Sequence, residues 1–170
     1  MLPLVLNPAT FRIGLAGNGE AFRRRLSFLK ESGVDDPALF ESRVPAGGEI
    51  SALHILFVAG LDVAAAGALA RSAREKRVLV NVEDRPELCD FHVPAVVRRG
   101  DLLLTVSTNG RSPGAARIVR GRLERIFGPE WGDRLEEIAR ARTAWRASGS
   151  TAGEIAERTT SLVEVKGWLS

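Results

Sequence analysis

An apolar run from Leu53 to Ala59, interrupted only by His54, leads through Gly60 and Asp62 into an alanine-rich stretch, and a β-branched run follows at Val78 to Val82. Strand, helix and strand within that length leave one compact connection, a right-handed crossover between parallel strands. Asp62 is placed to cap the helix, which the pattern carries to about Lys76. Upstream, Phe11 to Leu15 feeds directly into AGNGEAFRRRLSFLK, where Ala21, Phe22, Leu26 and Leu29 fall near helical spacing, so a strand, a glycine turn and a helix are expected. Residues 31–48 hold Gly33, Pro37, Pro45, Gly47 and Gly48 and leave Ala38 to Glu41 as the one short strand between them.

After Pro86 the pattern changes. Phe91 to Val97 and Leu102 to Val106 are joined by Arg98, Arg99, Gly100 and Asp101, as in a hairpin that could extend the sheet or cover one end of it. From Ser112 onward the pattern is helical. Ser112 is a cap with Pro113 at the first helical position, and Ile118, Val119, Leu123, Ile126 and Phe127 form an apolar stripe that ends at Gly128 and Pro129. A helix from about Glu130 carries Leu135, Ile138 and Trp145, and after a turn at Ser148 to Ser150 a last helical stretch holds Ile155, Leu162, Val163 and Trp168. The expected divisions are 1–86, an α/β part with a parallel sheet, 87–111, the hairpin, and 112–170, an all-helical part whose apolar faces need a partner.

With 170 residues, 45% of them hydrophobic and 26% charged, the chain can build one real core plus an appendage. Cys89 is the single cysteine, which excludes an internal disulfide and a cysteine zinc cage and fits a reducing compartment. The start, MLPLVLNPATF, has neither the basic region nor the apolar length of a secretory signal, and the most apolar stretch, Leu53 to Ala70, carries His54 and Asp62; a cytosolic protein without a membrane span is expected. Arginines at 111, 117, 120, 122, 125, 134, 140, 142 and 146 crowd the last third, but the formal charge is only +3 and few aromatics interleave with them. A nucleic-acid partner is therefore not expected.

Three places could carry chemistry. Gly17-Asn18-Gly19 lies between a strand and a helix, where backbone N–H groups can hold a pyrophosphate; the third small residue of such a turn is Phe22 here, and the acidic residue for a ribose is open among Glu41, Asp35 and Asp36. The bland alternative is a tight turn that needs glycine for its geometry. Asn81-Val82-Glu83-Asp84-Arg85-Pro86 begins at the carboxyl end of a parallel strand, where open sheets place ligands. Asp84 could serve as a general base if burial or the neighbouring carboxylate raises its pKa, with Arg85 opposing, or could simply make a turn with Pro86. Ser107-Thr108-Asn109-Gly110-Arg111-Ser112-Pro113 offers hydroxyls, amides and a guanidinium to an anion, or is a capped loop. His54 and His92 lack partners at metal-ligand spacing, so no built-in metal site is expected, and Cys89 lacks the surroundings of a nucleophile.

Taken in order, GNGEAFRRR, then NVEDRPELCDFHVPAVVRRGDLLLTVSTNGRSPGAAR, then a helical tail resemble the precorrin-2 dehydrogenase/sirohydrochlorin ferrochelatase family, the dehydrogenase module of siroheme synthase, over about Phe11 to Trp145. The resemblance implies a Rossmann-type NAD-binding parallel sheet, a hairpin extension and a helical part that pairs two chains into a homodimer. It implies NAD-dependent oxidation of precorrin-2 to sirohydrochlorin, with Fe2+ as a further substrate in the bifunctional members, which insert it to give siroheme. Asp84 falls on the family's catalytic aspartate. Gly17, Asn18, Gly19, Glu20 and Ala21 fall on the dinucleotide turn, and Gly60 and Asn81 at strand ends toward the nicotinamide. Ser107, Thr108, Asn109, Arg111 and Arg117 fall where the tetrapyrrole's carboxylates are bound. The chain departs from the family at Asn18, at Phe22, in a shortened region after the first helix, and at Ala59-Gly60-Leu61-Asp62 with Ala66 beyond it. Those departures motivate a second reading, a tetrapyrrole-binding dimer that chelates or carries without dehydrogenation.

Overall fold

The computed structural model describes residues 2–169, and the chain divides into two compact units at the Val93–Pro94 junction. In the first unit a four-stranded parallel sheet has the order β2-β1-β3-β4, with β1 at Ile13–Gly17, β2 at Ala38–Glu41, β3 at Ile55–Ala59 and β4 at Leu79–Val82. Every residue of β1 and β3 is buried, as expected of central strands covered on both faces. Alternation along these strands builds two cores. Ile13, Leu15, Ile55, Phe57 and Ala59 pack with Phe22 and Leu29 of α1 (Gly19–Glu31). Ala16, Leu56, Val58, Val80 and Val82 pack with Ala66, Leu69, Ala70 and Ala73 of α3 (Val63–Glu75), joined by Ile50 of α2 (Gly47–Ser51).

This is a Rossmann-like α/β sheet. The chain leaves β1 in one direction to form β2 and returns on the other side of β1 to form β3, so the crossovers diverge between β1 and β3 and open a crevice at their carboxyl ends. The short second strand is present and pairs along β1 from Gly14↔Ala38 to Gly17↔Glu41. Asp62 caps α3, its carboxylate accepting the Ala65 N–H at 2.8 Å. The third small residue of the glycine turn is replaced by a core side chain, since Phe22 is 1% exposed.

In the second unit β5 (Ala95–Arg99) and β6 (Leu102–Val106) form their own two-stranded antiparallel sheet and add no strand to the parallel one. The apolar run starting at Phe91 does not begin the hairpin. The Asn81 amide donates to the Phe91 carbonyl at 2.9 Å, and the Phe91 ring stands edge-on to Phe57 with centroids 5.5 Å apart, so Phe91 belongs to the first unit. Ser112 caps α4 (Pro113–Ile126), and α5 (Trp131–Ala147) and α6 (Ala152–Val165) follow. Phe127, Trp131 and Trp168 cluster, with the Arg134 guanidinium over both indoles. Of the expected α4 stripe, Ile118, Val119 and Ile126 are exposed. No helix among the described residues is long and apolar enough to cross a membrane.

Because Phe22 fills the space between α1 and the sheet, Phe22→Ala should not recreate a working small-residue turn but open a cavity, destabilising the protein by about 3–5 kcal/mol in urea or thermal unfolding.

Candidate functional site

At the head of the crevice the turns after β1 and β3 touch backbone to backbone. Gly17 has φ 145°, and a Cβ there would lie 1.7 Å from the Ala59 carbonyl oxygen. The Asn18 N–H donates to that same oxygen at 3.1 Å. Gly60 has φ 75°, and a Cβ on it would lie 2.2 Å from the Asn18 carbonyl oxygen. Both glycines are therefore required by close approach. Gly19 differs: φ is 66°, yet nothing lies within 4 Å of where its Cβ would be. It opens α1, whose N-cap Asn18 makes no side-chain capping bond, so the cap's side chain leaves the first-turn amides and the positive end of the helix without an acceptor. Glu20 beside it is exposed and paired with Arg23, and Ala21 is half-buried. Those donors and that open approach fit a dinucleotide's pyrophosphate.

Glu41 ends β2 directly across from Gly17, and the following Ser42, with φ 57°, donates its N–H to the Gly17 carbonyl at 2.8 Å. Asp35 and Asp36 precede β2 and lie at its amino end. Among the acidic alternatives, Glu41 is the one on the carboxyl edge.

After β4 the chain turns at Val82–Arg85, closed by a 3.3 Å bond from the Arg85 N–H to the Val82 carbonyl. Asp84 is exposed and has φ 58°, at the third position of a turn, where glycine or asparagine is usual when φ is positive. Glu83 turns the other way. One carboxylate oxygen is 3.6 Å from Arg24, and the other is buried without a hydrogen-bond partner among the described residues. Arg25 lies over the rings of Phe28 and Phe57, and burial holds its guanidinium below the ordinary value while Glu83 acts against that shift. Asn81 is 6% exposed, and its amide is engaged by the Phe91 carbonyl.

In the second unit Ser107, Thr108, Asn109 and Arg111 form one loop. The Thr108 hydroxyl bonds both the N–H and the carbonyl of Ser112 at 3.1 Å, the Asn109 N–H donates to the Ser107 hydroxyl at 3.2 Å, and Asn109 has φ 56°. The Ser112 hydroxyl takes the Ala115 N–H, so one helix-start donor is already satisfied. The Arg111 and Arg117 side chains stand exposed. The sequence pattern does not mark Arg25, the burial of one Glu83 carboxylate oxygen or the bonding of Cys89. Each acts through a neighbour distant in the chain or through sulfur, which periodicity does not register.

The family profile described as putative NAD(P)-binding matches residues 4–95, and that described as sirohaem biosynthesis protein central matches residues 99–126. The siroheme synthase of Methylobacillus flagellatus is 32% identical over 155 residues, covering 81% of this chain and 33% of that protein. The siroheme synthase of Nitrosococcus oceani is 30% identical, covering 91% of this chain and 37% of its own length. The chain thus spans about a third of the length of the curated relatives it matches. The solved structure of SirC, a precorrin-2 dehydrogenase, superposes with a TM-score of 0.74 at 17% identity, covering 100% of this chain and 93% of the other, and shows the same fold.

The two glycine environments separate in stability measurements. Gly17→Ala, which meets both strain and a backbone clash, should unfold the first unit or cost more than about 3 kcal/mol. Gly19→Ala, which meets strain alone, should cost about 1–2 kcal/mol.

Proposed function

The chain belongs to the precorrin-2 dehydrogenase/sirohydrochlorin ferrochelatase family, the dehydrogenase module of siroheme synthase, and from that premise we propose that it oxidises precorrin-2 to sirohydrochlorin with NAD in the cytoplasm. One observation carries the proposal: the open amide cradle at Gly19 and the exposed, strained Asp84 both stand at the carboxyl edge of one parallel sheet. Backbone donors at a helix start and a carboxylate on the same rim support a cofactor and a proton acceptor acting together.

The first-turn amides of α1 hold the pyrophosphate, and Glu41 accepts hydrogen bonds from the adenosine ribose, which favours NAD over a cofactor carrying a 2′-phosphate. The nicotinamide, when bound, supplies the hydride acceptor. Asp84 takes the proton that leaves the macrocycle as hydride departs, and the bound ring displaces water from this exposed carboxylate. Ser107, Thr108, Asn109, Arg111 and Arg117 of the second unit supply hydroxyl, amide and cationic donors for carboxylates. Where iron is inserted, Fe2+ enters as a substrate, and Asp84 accepts the displaced pyrrole protons. The exposed Ile118, Val119 and Ile126 on α4 support a homodimer, because such positions are normally covered.

The experiment is anaerobic incubation with precorrin-2, with and without NAD, following the macrocycle's absorbance and then adding Fe2+. Sirohydrochlorin should appear only with NAD, and Asp84→Asn should keep the fold while lowering kcat about 10²–10⁴-fold. Macrocycle binding without NAD-dependent change would replace this reading with the chelating or carrying one. Glu41→Gln should raise the Kd for NAD with little effect on melting temperature, as read by calorimetry.

A further inference from the structure

The strand β4 is the edge of the parallel sheet, so the N–H and C=O groups of Val80 and Val82 that point away from β3 need partners. They find them in the segment Cys89–Phe91, which folds back along the strand. The Asp90 N–H donates to the Val80 carbonyl at 2.8 Å, and the Val80 N–H donates to the Asp90 carboxylate at 2.9 Å. The Val82 N–H donates to the Cys89 sulfur at 3.2 Å. The thiol in turn has two carbonyls in range, those of Val82 and Arg85, each at 3.2 Å. Arg74 of α3 anchors the segment from behind through the Asp90 carboxylate at 2.7 Å and the Leu88 carbonyl at 2.8 Å.

Val82 and Arg85 are the two ends of the turn that carries Asp84. The turn's own closing bond is long, 3.3 Å, and a non-glycine residue with φ 58° persists only where its surroundings hold it. We propose that Cys89 is a positioning residue for Asp84, its side chain bonding both ends of the Val82–Arg85 turn and so fixing where the carboxylate stands. The proposal rests on the reading of Asp84 as proton acceptor. Burial pushes the Cys89 thiol up, which keeps it protonated and able to donate at neutral pH. An alanine there would leave the Val82 N–H without its partner and free the Arg85 end. A serine retains a donor and an acceptor on a shorter arm.

The test compares Cys89→Ala, Cys89→Ser and Asp84→Asn in anaerobic precorrin-2 turnover, together with NAD affinity and amide hydrogen exchange. Cys89→Ala should lower kcat about 10- to 100-fold, the effect of a displaced catalytic group. Its Kd for NAD should be unchanged, and faster exchange should be confined to residues 82–85. Cys89→Ser should recover most of the turnover, which a purely space-filling role would not require. Full kcat in Cys89→Ala beside an inactive Asp84→Asn would overturn the positioning role and leave the Asp84 reading standing. An active Asp84→Asn would remove that reading, and this inference with it. Should Cys89→Ala not fold, the folded wild type decides. Cys89 is the single cysteine, so methyl methanethiosulfonate caps it alone, with completeness followed by mass. Turnover lost on capping and restored by dithiothreitol supports the role, and full turnover in the fully capped protein overturns it.

Discussion

The bond from the Asn18 N–H to the Ala59 carbonyl, 3.1 Å long, is the contact on which the carboxyl rim of the first unit's sheet depends. It draws the ends of β1 and β3 together at the point where the crossovers diverge. Each turn then intrudes on the other so closely that neither Gly17 nor Gly60 tolerates a Cβ. With the backbones locked, α1 must start at Gly19 and aim its uncapped amides over the carboxyl edge. The buried strands beneath, Ile13–Gly17 and Ile55–Ala59, make that edge rigid. A preorganised set of donors over a low-dielectric base loses little on binding an anion.

The readable parts of the fold in the sequence were those where a single local rule decides. The run Leu53 to Ala59 with Asp62 behind it became β3 and a capped α3, and Ser112-Pro113 became the start of α4. The strand Ala38–Glu41 was visible only as the gap between prolines and glycines, and its pairing with β1 is what gives Glu41 its place. The hairpin starts later than the apolar pattern predicts, because Phe91 is apolar and period-compatible yet belongs to the first unit. Its neighbours are settled instead by Asn81 and Phe57, which lie 10 and 34 positions back and leave no local trace. The bonding of Cys89 was equally invisible, since a thiol joined to three backbone groups has no composition signature. Of the candidate site, the glycine turn and the aspartate were legible as types and positions. The left-handed conformation of Asp84 was not, because Asp before Arg-Pro reads only as a turn.

The non-glycine residues with positive φ fall in a pattern. Ser42 and Asp84 follow β2 and β4 at the carboxyl edge of the parallel sheet, Asn109 lies in the loop beyond β6 of the antiparallel pair, and Arg77 closes the C-terminus of α3. A left-handed residue after a helix is ordinary termination. After a strand, on the edge where an open sheet binds ligands, it redirects the chain within one residue and sets the next side chain at a fixed angle. At Ser42 and Asp84 neighbouring groups fasten the redirected backbone: the Gly17 carbonyl takes the Ser42 N–H, and the Cys89 thiol reaches both ends of the Asp84 turn. Strain there is a consequence of placement, held by bonds made elsewhere in the same unit.

The departures from the family pattern at Asn18 and Phe22 act on different parts of this arrangement. A small residue at the third position of a dinucleotide turn lets the helix settle close on the strand. With Phe22 buried against Leu15, Phe57 and Ala59, packing between α1 and the sheet is made by a large side chain instead. The course of the turn before it is set by Gly17, Gly60 and the Asn18–Ala59 bond. Asn18 contributes to that bond through its backbone, which any residue supplies, and its side chain caps nothing. Phe22 is therefore a change in how the helix is supported, and Asn18 a change at the N-cap, while neither alters the positive φ at Gly19 or the open space beside it.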